Sequence, residues 1–249
     1  MEENEEKAGV TMEIWIVRHG DPDYANDTLT EKGEREAKLL AERLAKENFD
    51  AYYCSPLGRA QKTASYTLEK TGKTAVTYQW LREFEGKVGT LLNKRNCWDR
   101  MPDYWSNIDD YYSYDKWLDV DLMKKGSVKK CYDMVCNGVD ELLEKHGYVK
   151  NGRIYNAVRS NHDKIVLFCH FGVESVILSR IFSISPMILW HNFRALPTAV
   201  TRLVTEEREK GKAIFVCVQY GDLSHLYAGG EEPSFQARFC ECFDDDTRH

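Results

Sequence analysis

No stretch of this 249-residue chain approaches the roughly 18 consecutive apolar residues that a membrane-spanning helix requires. There is no surplus of basic charge either. The formal net charge is −6, whereas nucleic-acid binders need a basic face to neutralise phosphates. Any positive charge that matters must therefore be local. Residues Met1 to Thr11 are acidic and carry no apolar segment, so they read as a short flexible lead-in and not as a secretory signal. No CxxC or CxxH pair completes a zinc site, and Cys240 and Cys242, which flank Glu241, are too little for one. Internal repeats and low-complexity tracts are absent. These absences exclude membrane and nucleic-acid partners and leave no metal or cofactor to expect.

The chain has enough apolar residues, 43% of the total, to bury a real core. Of its eight cysteines, Cys54, Cys169 and Cys217 fall inside segments that read as core strands. That pattern fits buried free thiols in a reducing compartment and a cytoplasmic protein.

Hydrophobic periodicity sets out the elements. Glu13 to Arg18 (EIWIVR) reads as a buried strand. Thr30 to Lys46 is amphipathic, with Ala37, Leu40, Ala41, Leu44 and Ala45 on one face and Thr30 as N-cap. Phe49 to Cys54 is a second strand, Leu57 to Lys70 a second helix after Ser55-Pro56, and Thr74 to Tyr78 a third strand. Lys164 to His170 (KIVLFCH) and the helix Val173 to Phe182 resume this alternation. Ala199 to Val204 and Ala213 to Gln219 read as a hairpin at a sheet edge, joined by the charged turn Thr205 to Lys212. The alternation predicts an α/β three-layer sandwich: a mostly parallel central sheet, helices on both faces and an antiparallel edge hairpin. Residues 86–158 read as an aromatic-rich, largely helical insertion, a lid carried on one domain spanning 1–249; a separate small domain is the alternative. The aromatics Trp98, Tyr104, Trp105, Tyr111, Tyr112, Tyr114 and Trp117 either form the insertion's own core or stack on a ligand.

Three features carry chemistry. Arg18-His19-Gly20 follows the first strand, where ligands of open α/β sheets bind. Arg18 offers a planar fork for phosphate oxygens, and Gly20 permits close backbone approach to a ligand. Cys169-His170-Phe171-Gly172 also stands where a strand gives way to a helix, a ready anion site. Ser55 to Ala64 (SPLGRAQKTA) puts Arg59 in the first turn of a helix. A cation there opposes the helix dipole unless an anion sits beside it.

The stretches IWIVRHGDPDYANDTLTEKGEREA, YYCSPLGRAQKTA, LREFEG and IVLFCHFG, in this order, resemble the histidine phosphatase superfamily, also called phosphoglycerate-mutase-like. They anchor about Met12 to Gly86 and Lys164 to Val204. The resemblance implies that His19 is a nucleophile forming a phosphoramidate, that Arg18 and Arg59 clamp phosphoryl oxygens, and that His170 completes the pocket. It also implies that Glu83 protonates the leaving oxygen and then activates water, with Glu85 as a rival for that role. Gly20, Asn26, Phe171 and Gly172 would line the substrate. Two departures stand out. The family's Asn six residues beyond the nucleophile is Ala25 here, with Asn26 one later, and the usual small residue after the second His is Phe171.

The family contains phosphatases and mutases. The short segment Asp21-Pro22-Asp23-Tyr24 and the sequence Phe84-Glu85-Gly86 favour a metal-independent phosphatase acting on a small phosphorylated metabolite. The alternatives are a cofactor-dependent phosphoglycerate mutase and a catalytically silent phosphate-binding protein. Lys94, Arg95 and Arg100 either attract an anionic substrate or serve solubility. A monomer or a homodimer through the edge hairpin is expected.

Overall fold

The structure, a computed structural model, describes residues 11–90, 93–159 and 161–235. Strand β1 (Glu13–Arg18) is buried along its whole length. Its alternate residues feed two cores, Ile14 and Ile16 on one face, Trp15 and Val17 on the other. A strand apolar on both faces must be covered on both. A ribbon of β2 (Pro22–Asp23) and β3 (Thr28–Leu29) leads into α1 (Glu31–Leu44), whose N-cap Thr30 accepts from Gly33 N–H with Glu31 and Glu34 in the first turn. Next come β4 (Ala51–Cys54), α2 (Gly58–Thr71) and β5 (Val76–Thr77). Gly72 ends α2 in the left-handed region at φ 66°.

Residues beyond Gly86 form a second ribbon, β6 (Lys87–Thr90) with β7 (Asn93–Asn96), followed by the short helices α3 (Pro102–Ser106) and α4 (Asp121–Lys124). The long α5 (Val128–Lys145) leads to β8 (Tyr148–Asn151) and β9 (Ile154–Ala157). The chain continues through β10 (Lys164–Cys169), α6 (Phe171–Phe182), α7 (Pro186–Asn192), β11 (Val200–Glu209), β12 (Lys212–Asp222) and α8 (Ser224–Ala228). Helix α6 starts two residues earlier than its periodicity suggests, at Phe171.

Among the described residues the main sheet has eight strands in the order β5-β4-β10-β1-β11-β12-β9-β8. The first four run parallel and the rest pair antiparallel. The hairpin β11–β12 is not outermost. The β8–β9 hairpin, drawn from the stretch read as an insertion, pairs with β12 at Lys212 and Ala213. Its buried Tyr148 and Tyr155 meet Phe215 edge-on at 5.6 and 5.0 Å, so the added hairpin covers an apolar residue of β12. The two-residue turn Gly152-Arg153, with Gly152 at φ 61°, is a hairpin signature that the aromatic density of this region obscured.

The aromatics of residues 98–117 divide by burial. Trp105, Tyr111 and Trp117 belong to the core, Tyr104 and Tyr112 are exposed, and Trp98 and Tyr114 pack partly buried against it. Trp117 meets Tyr132 at 4.9 Å and Trp190 at 5.7 Å, both edge-on. Cys54, Cys97, Cys136 and Cys169 are buried free thiols, whereas Cys217 is exposed; it lies where a register shift opposite Leu203 breaks the alternation of β12. Cys240, Cys242 and the acidic lead-in before Thr11 lie outside the described residues. Among the described residues no helix is long and apolar enough to cross a membrane.

Replacing Trp117 by Ala empties a fully buried site where three elements meet. Urea unfolding is expected to show a loss of about 3–5 kcal/mol.

Candidate active site

The register of the sheet assembles the site. β1 and β10 lie side by side with Arg18 opposite Cys169, so the residues that follow, His19 and His170, leave adjacent strand ends. Their rings are 5.0 Å apart. β4 flanks β10 on its other side with Cys54 opposite Phe168, which brings Ser55 beside His170. The N-termini of α2 and α6 therefore converge on the same crevice. Arg18, His19, Arg59 and His170 are all buried there.

His19 is fixed by its own loop. Its Nδ1 lies 2.7 Å from Gly20 O. A carbonyl can only accept, so Nδ1 carries the proton and Nε2 keeps its lone pair. Burial, with Arg18 and Arg59 adding to it, holds the imidazole well below its ordinary pKa, so the ring is neutral. Gly20 N–H donates to Thr63 Oγ1 at 3.0 Å. The close approach at Gly20 is to α1: a Cβ there would stand 2.7 Å from Gly33 O.

The arginines are anchored from outside the crevice. Arg18 Nη1 donates to Ala195 O at 2.6 Å. Arg59 Nε points at His19 Nε2, 3.4 Å away, while its Nη1 donates to Asp27 Oδ1 at 2.6 Å. The anion expected beside Arg59 is thus partly supplied by the chain itself.

His170 Nε2 meets Ser55 Oγ at 2.7 Å. Ser55 Oγ also accepts from Leu57 N–H at 3.2 Å. The other ring nitrogen, His170 Nδ1, is buried with no hydrogen-bond partner among the described residues. Burial, the neighbouring His19 and the arginines hold His170 well below its usual pKa.

Glu83 reaches the start of α6. Its Oε1 accepts from Phe84 N–H at 2.7 Å and from Val173 N–H at 3.2 Å. Gly172 makes the space, since a Cβ there would stand 2.6 Å from Glu83 Oε1. Burial raises the Glu83 pKa against the lowering pull of its hydrogen bonds and the two arginines. Glu85 instead is exposed and pairs with Arg82 at 3.1 Å. Phe171 is buried beneath two cations, with Arg18 5.9 Å and Arg194 5.5 Å from its ring centroid. Asn26 is exposed and spends its amide on Asp23 Oδ2 at 2.7 Å. Of the nine residues read from the sequence, eight gather around the crevice and Asn26 turns to its own loop.

Other side chains at the site escaped the sequence reading. Ser55 hydrogen-bonds His170, and Asp27 holds Arg59. Glu174, one turn into α6, is buried with a pKa raised to about 7, chiefly by desolvation; it accepts from Thr201 Oγ1 at 2.5 Å. Glu36 of α1 is pushed to about 7 in the same way. It accepts from Asp21 N–H at 2.9 Å and Ser234 N–H at 3.0 Å, and Ser234 Oγ also bonds Asp21 Oδ1. The segment near Ser234 is therefore strapped behind the His19 loop. A buried Glu in the apolar periodicity of its helix is the one signal that marks Glu174 and Glu36 in advance. Among the described residues no three His, Cys, Asp or Glu side chains gather as a metal site would require.

A family model described as the histidine phosphatase superfamily (branch 1) matches residues 14–216. The chain belongs to this superfamily. It is 24% identical over 189 residues to an adenosylcobalamin/alpha-ribazole phosphatase of Salmonella typhi, covering 72% of this chain and 84% of that one. It is 33% identical over 92 residues to a probable phosphoglycerate mutase GpmB of Yersinia pestis, covering 33% of this chain and 42% of that one. The fold is shared with a phosphoserine phosphatase of Entamoeba histolytica solved with phosphoserine, at a TM-score of 0.55 and 17% identity over 87% of this chain and 100% of that one. An alpha-ribazole phosphatase from Shigella flexneri also gives 0.55, at 19% identity over 85% and 97% of the two chains.

The raised carboxyls have a consequence for stability. Glu174 titrates near 7 when folded and at its ordinary value of 4.5 when unfolded. Its contribution is complete below about 4.5 and is lost as pH rises toward 7, because the unfolded chain ionises first. Glu174→Gln removes that loss. Thermal unfolding of variant and wild type across pH 5 to 8 should show their difference moving in favour of the variant up to about pH 7, then levelling.

Proposed function

We propose that this protein hydrolyses small phosphomonoesters through a phosphohistidine on His19, without a metal ion. The observation that carries the proposal is the pairing of His19 Nδ1 with Gly20 O. It leaves Nε2 as a neutral nucleophile in a crevice rimmed by two guanidiniums and the unpartnered Nδ1 of His170. Phosphoryl transfer asks mainly for positioning and for charge on the equatorial oxygens, and these groups supply both.

His19 Nε2 forms a bond to phosphorus as the ester oxygen departs in line. The Glu83 carboxyl, whose pKa desolvation raises, gives its proton to that oxygen. Water then attacks the phosphohistidine, Glu83 takes up a proton from it, and inorganic phosphate leaves with His19 restored. Glu83 is supported over Glu85 by its partial burial and its hydrogen bond to Val173 N–H at the start of α6, since Glu85 is exposed and ion-paired. Hydrolysis is supported over mutase chemistry by the short Asp21–Asp27 loop, although one relative is named a probable mutase. Phosphoserine and alpha-ribazole phosphate, the ligand and the substrate type in the names of structural relatives, set the scale of the substrate. Within the stretch 86–158 the segment around Trp98 serves as its lid, with Trp98 donating to Phe84 O at 3.1 Å and meeting Phe171 edge-on at 6.4 Å beside the crevice.

The test is hydrolysis of p-nitrophenyl phosphate in excess EDTA. Wild type should turn over and His19→Ala should not, and trapping should yield an acid-labile phosphoryl adduct. Loss of activity in EDTA that metal restores would sink the metal-free mechanism. Arg18→Ala and Arg59→Ala should each slow turnover on the order of 10²–10³-fold. Isomer interconversion without phosphate release would shift the assignment to a mutase.

The pH profile follows from the same groups. The acid limb of kcat/KM should lie below the ordinary imidazole value of 6.5, because His19 stays neutral further into acid. The alkaline limb should lie above the ordinary carboxyl value of 4.5, where Glu83 loses the proton it must donate. Glu83→Gln should remove the alkaline limb and slow poor leaving groups far more than p-nitrophenolate.

A further inference from the structure

Arg59 is held more completely than a phosphate-binding arginine requires, and one carboxylate does most of the holding. Asp27 Oδ1 accepts from Arg59 Nη1 at 2.6 Å, and Asp27 Oδ2 accepts from Gly58 N–H at 2.7 Å. A single side chain thus grips the guanidinium and the backbone immediately before it. Helix α2 needs such a partner, because Leu57 offers no side-chain cap and the first turn contains no acid. The chain accepts strain to place the carboxylate. Asp27 adopts a left-handed φ of 47°, and its carbonyl crowds α2 so closely that a Cβ at Gly58 would stand 2.1 Å from Asp27 O.

The geometry of a guanidinium gives this grip a direction. Nη1 lies on the side of the group away from the paired Nε and Nη2 hydrogens, the edge that binds two oxygens side by side. Asp27 takes Nη1, so the Nε–Nη2 edge faces inward, and Nε points at His19 Nε2. Tyr24 covers one face, its ring centroid 5.4 Å from Arg59 Cζ. On the helix side Thr63 Oγ1 donates to Arg59 O at 2.8 Å and accepts from Gly20 N–H at 3.0 Å, tying the same turn to the His19 loop.

Stability alone does not account for the arrangement. The Asp27 side chain is 43% exposed, and ion pairs in such surroundings contribute at most about 1 kcal/mol. We infer that Asp27 is a positioning residue: it aims the two-donor edge of Arg59 at the phosphoryl group on His19, and it does so at some cost to the binding of the phosphate ground state. The inference rests on the phosphohistidine reading. The cost follows from charge, because the carboxylate offsets part of the cation that a phosphate dianion meets.

Asp27→Asn is the informative variant. Asn tolerates a left-handed φ and keeps an oxygen for Gly58 N–H, so fold and helix cap are retained, but it cannot also hold Arg59 with charge. With p-nitrophenyl phosphate, kcat should fall about 10- to 100-fold, the scale of a misplaced reacting group. Inorganic phosphate, titrated calorimetrically, should bind about 3-fold tighter, with the unfolding temperature unchanged. A kcat within twofold of wild type would reduce Asp27 to a helix cap and overturn the inference. So would a raised kcat, which marks a competitor of substrate, or weaker phosphate binding, which marks simple damage. If the wild type shows no turnover, the phosphatase reading fails first. The phosphate titration then decides alone, and affinity no tighter than wild type overturns the positioning role.

Discussion

The site depends on one constraint, the in-register parallel pairing of β1 with β10. Arg18 stands opposite Cys169, and His19 N–H donates to Cys169 O at 3.0 Å. That pairing continues one step past the strand and fixes the two histidines as neighbours. A slip of one residue would turn each side chain to the opposite face of the sheet. The slip is opposed by both cores at once, because Ile14 and Ile16 fill one and Trp15 and Val17 the other. The energy that places the imidazoles is therefore spread over apolar residues that never meet a substrate.

Within that frame the crevice gathers charge without gathering protons. Two buried imidazoles stay neutral beside two guanidiniums, while half-buried Glu83 and buried Glu174 lean toward their protonated forms. Desolvation drives both trends, and each leaves the arginines as the dominant charge. An entering phosphate meets cations and neutral hydrogen-bond donors, with little carboxylate charge to repel it. The exception is Asp27, at the rim, whose charge is already committed to Arg59.

Much of this was legible in the residues. The period of the strands and of α1 and α2 located the sheet and its helices to within a few residues. Arg18-His19-Gly20 and Cys169-His170-Phe171-Gly172 marked two strand ends that the register then placed side by side. Contacts that cross sequence distance were not legible. Asp27 reads as an ordinary loop acid until the fold sets it 31 residues away on Gly58. Ser55 reads as part of a turn until β4 pairs beside β10. Residues 148–157 hid their hairpin because the preceding aromatics shared no single period, and the reason they join the sheet is Phe215, far along the chain. Gly20 pointed to close approach by a ligand, whereas what stands against it is Gly33 O; Gly172, read as lining the substrate, makes room for the Glu83 carboxyl.

The strap behind the His19 loop has a meaning for the order in which the chain is made. β1 is synthesised well before its neighbours β10 and β11, which begin only at Lys164 and Val200. Asp21 and Glu36 wait longer still, for Ser234. Until those neighbours are made, β1 is a solitary segment with two uncovered apolar faces, the kind of intermediate that chaperones shield and that aggregates when they do not. The backing of the His19 loop is accordingly a late contact, and a synthesis arrested before Ser234 would leave that loop without it.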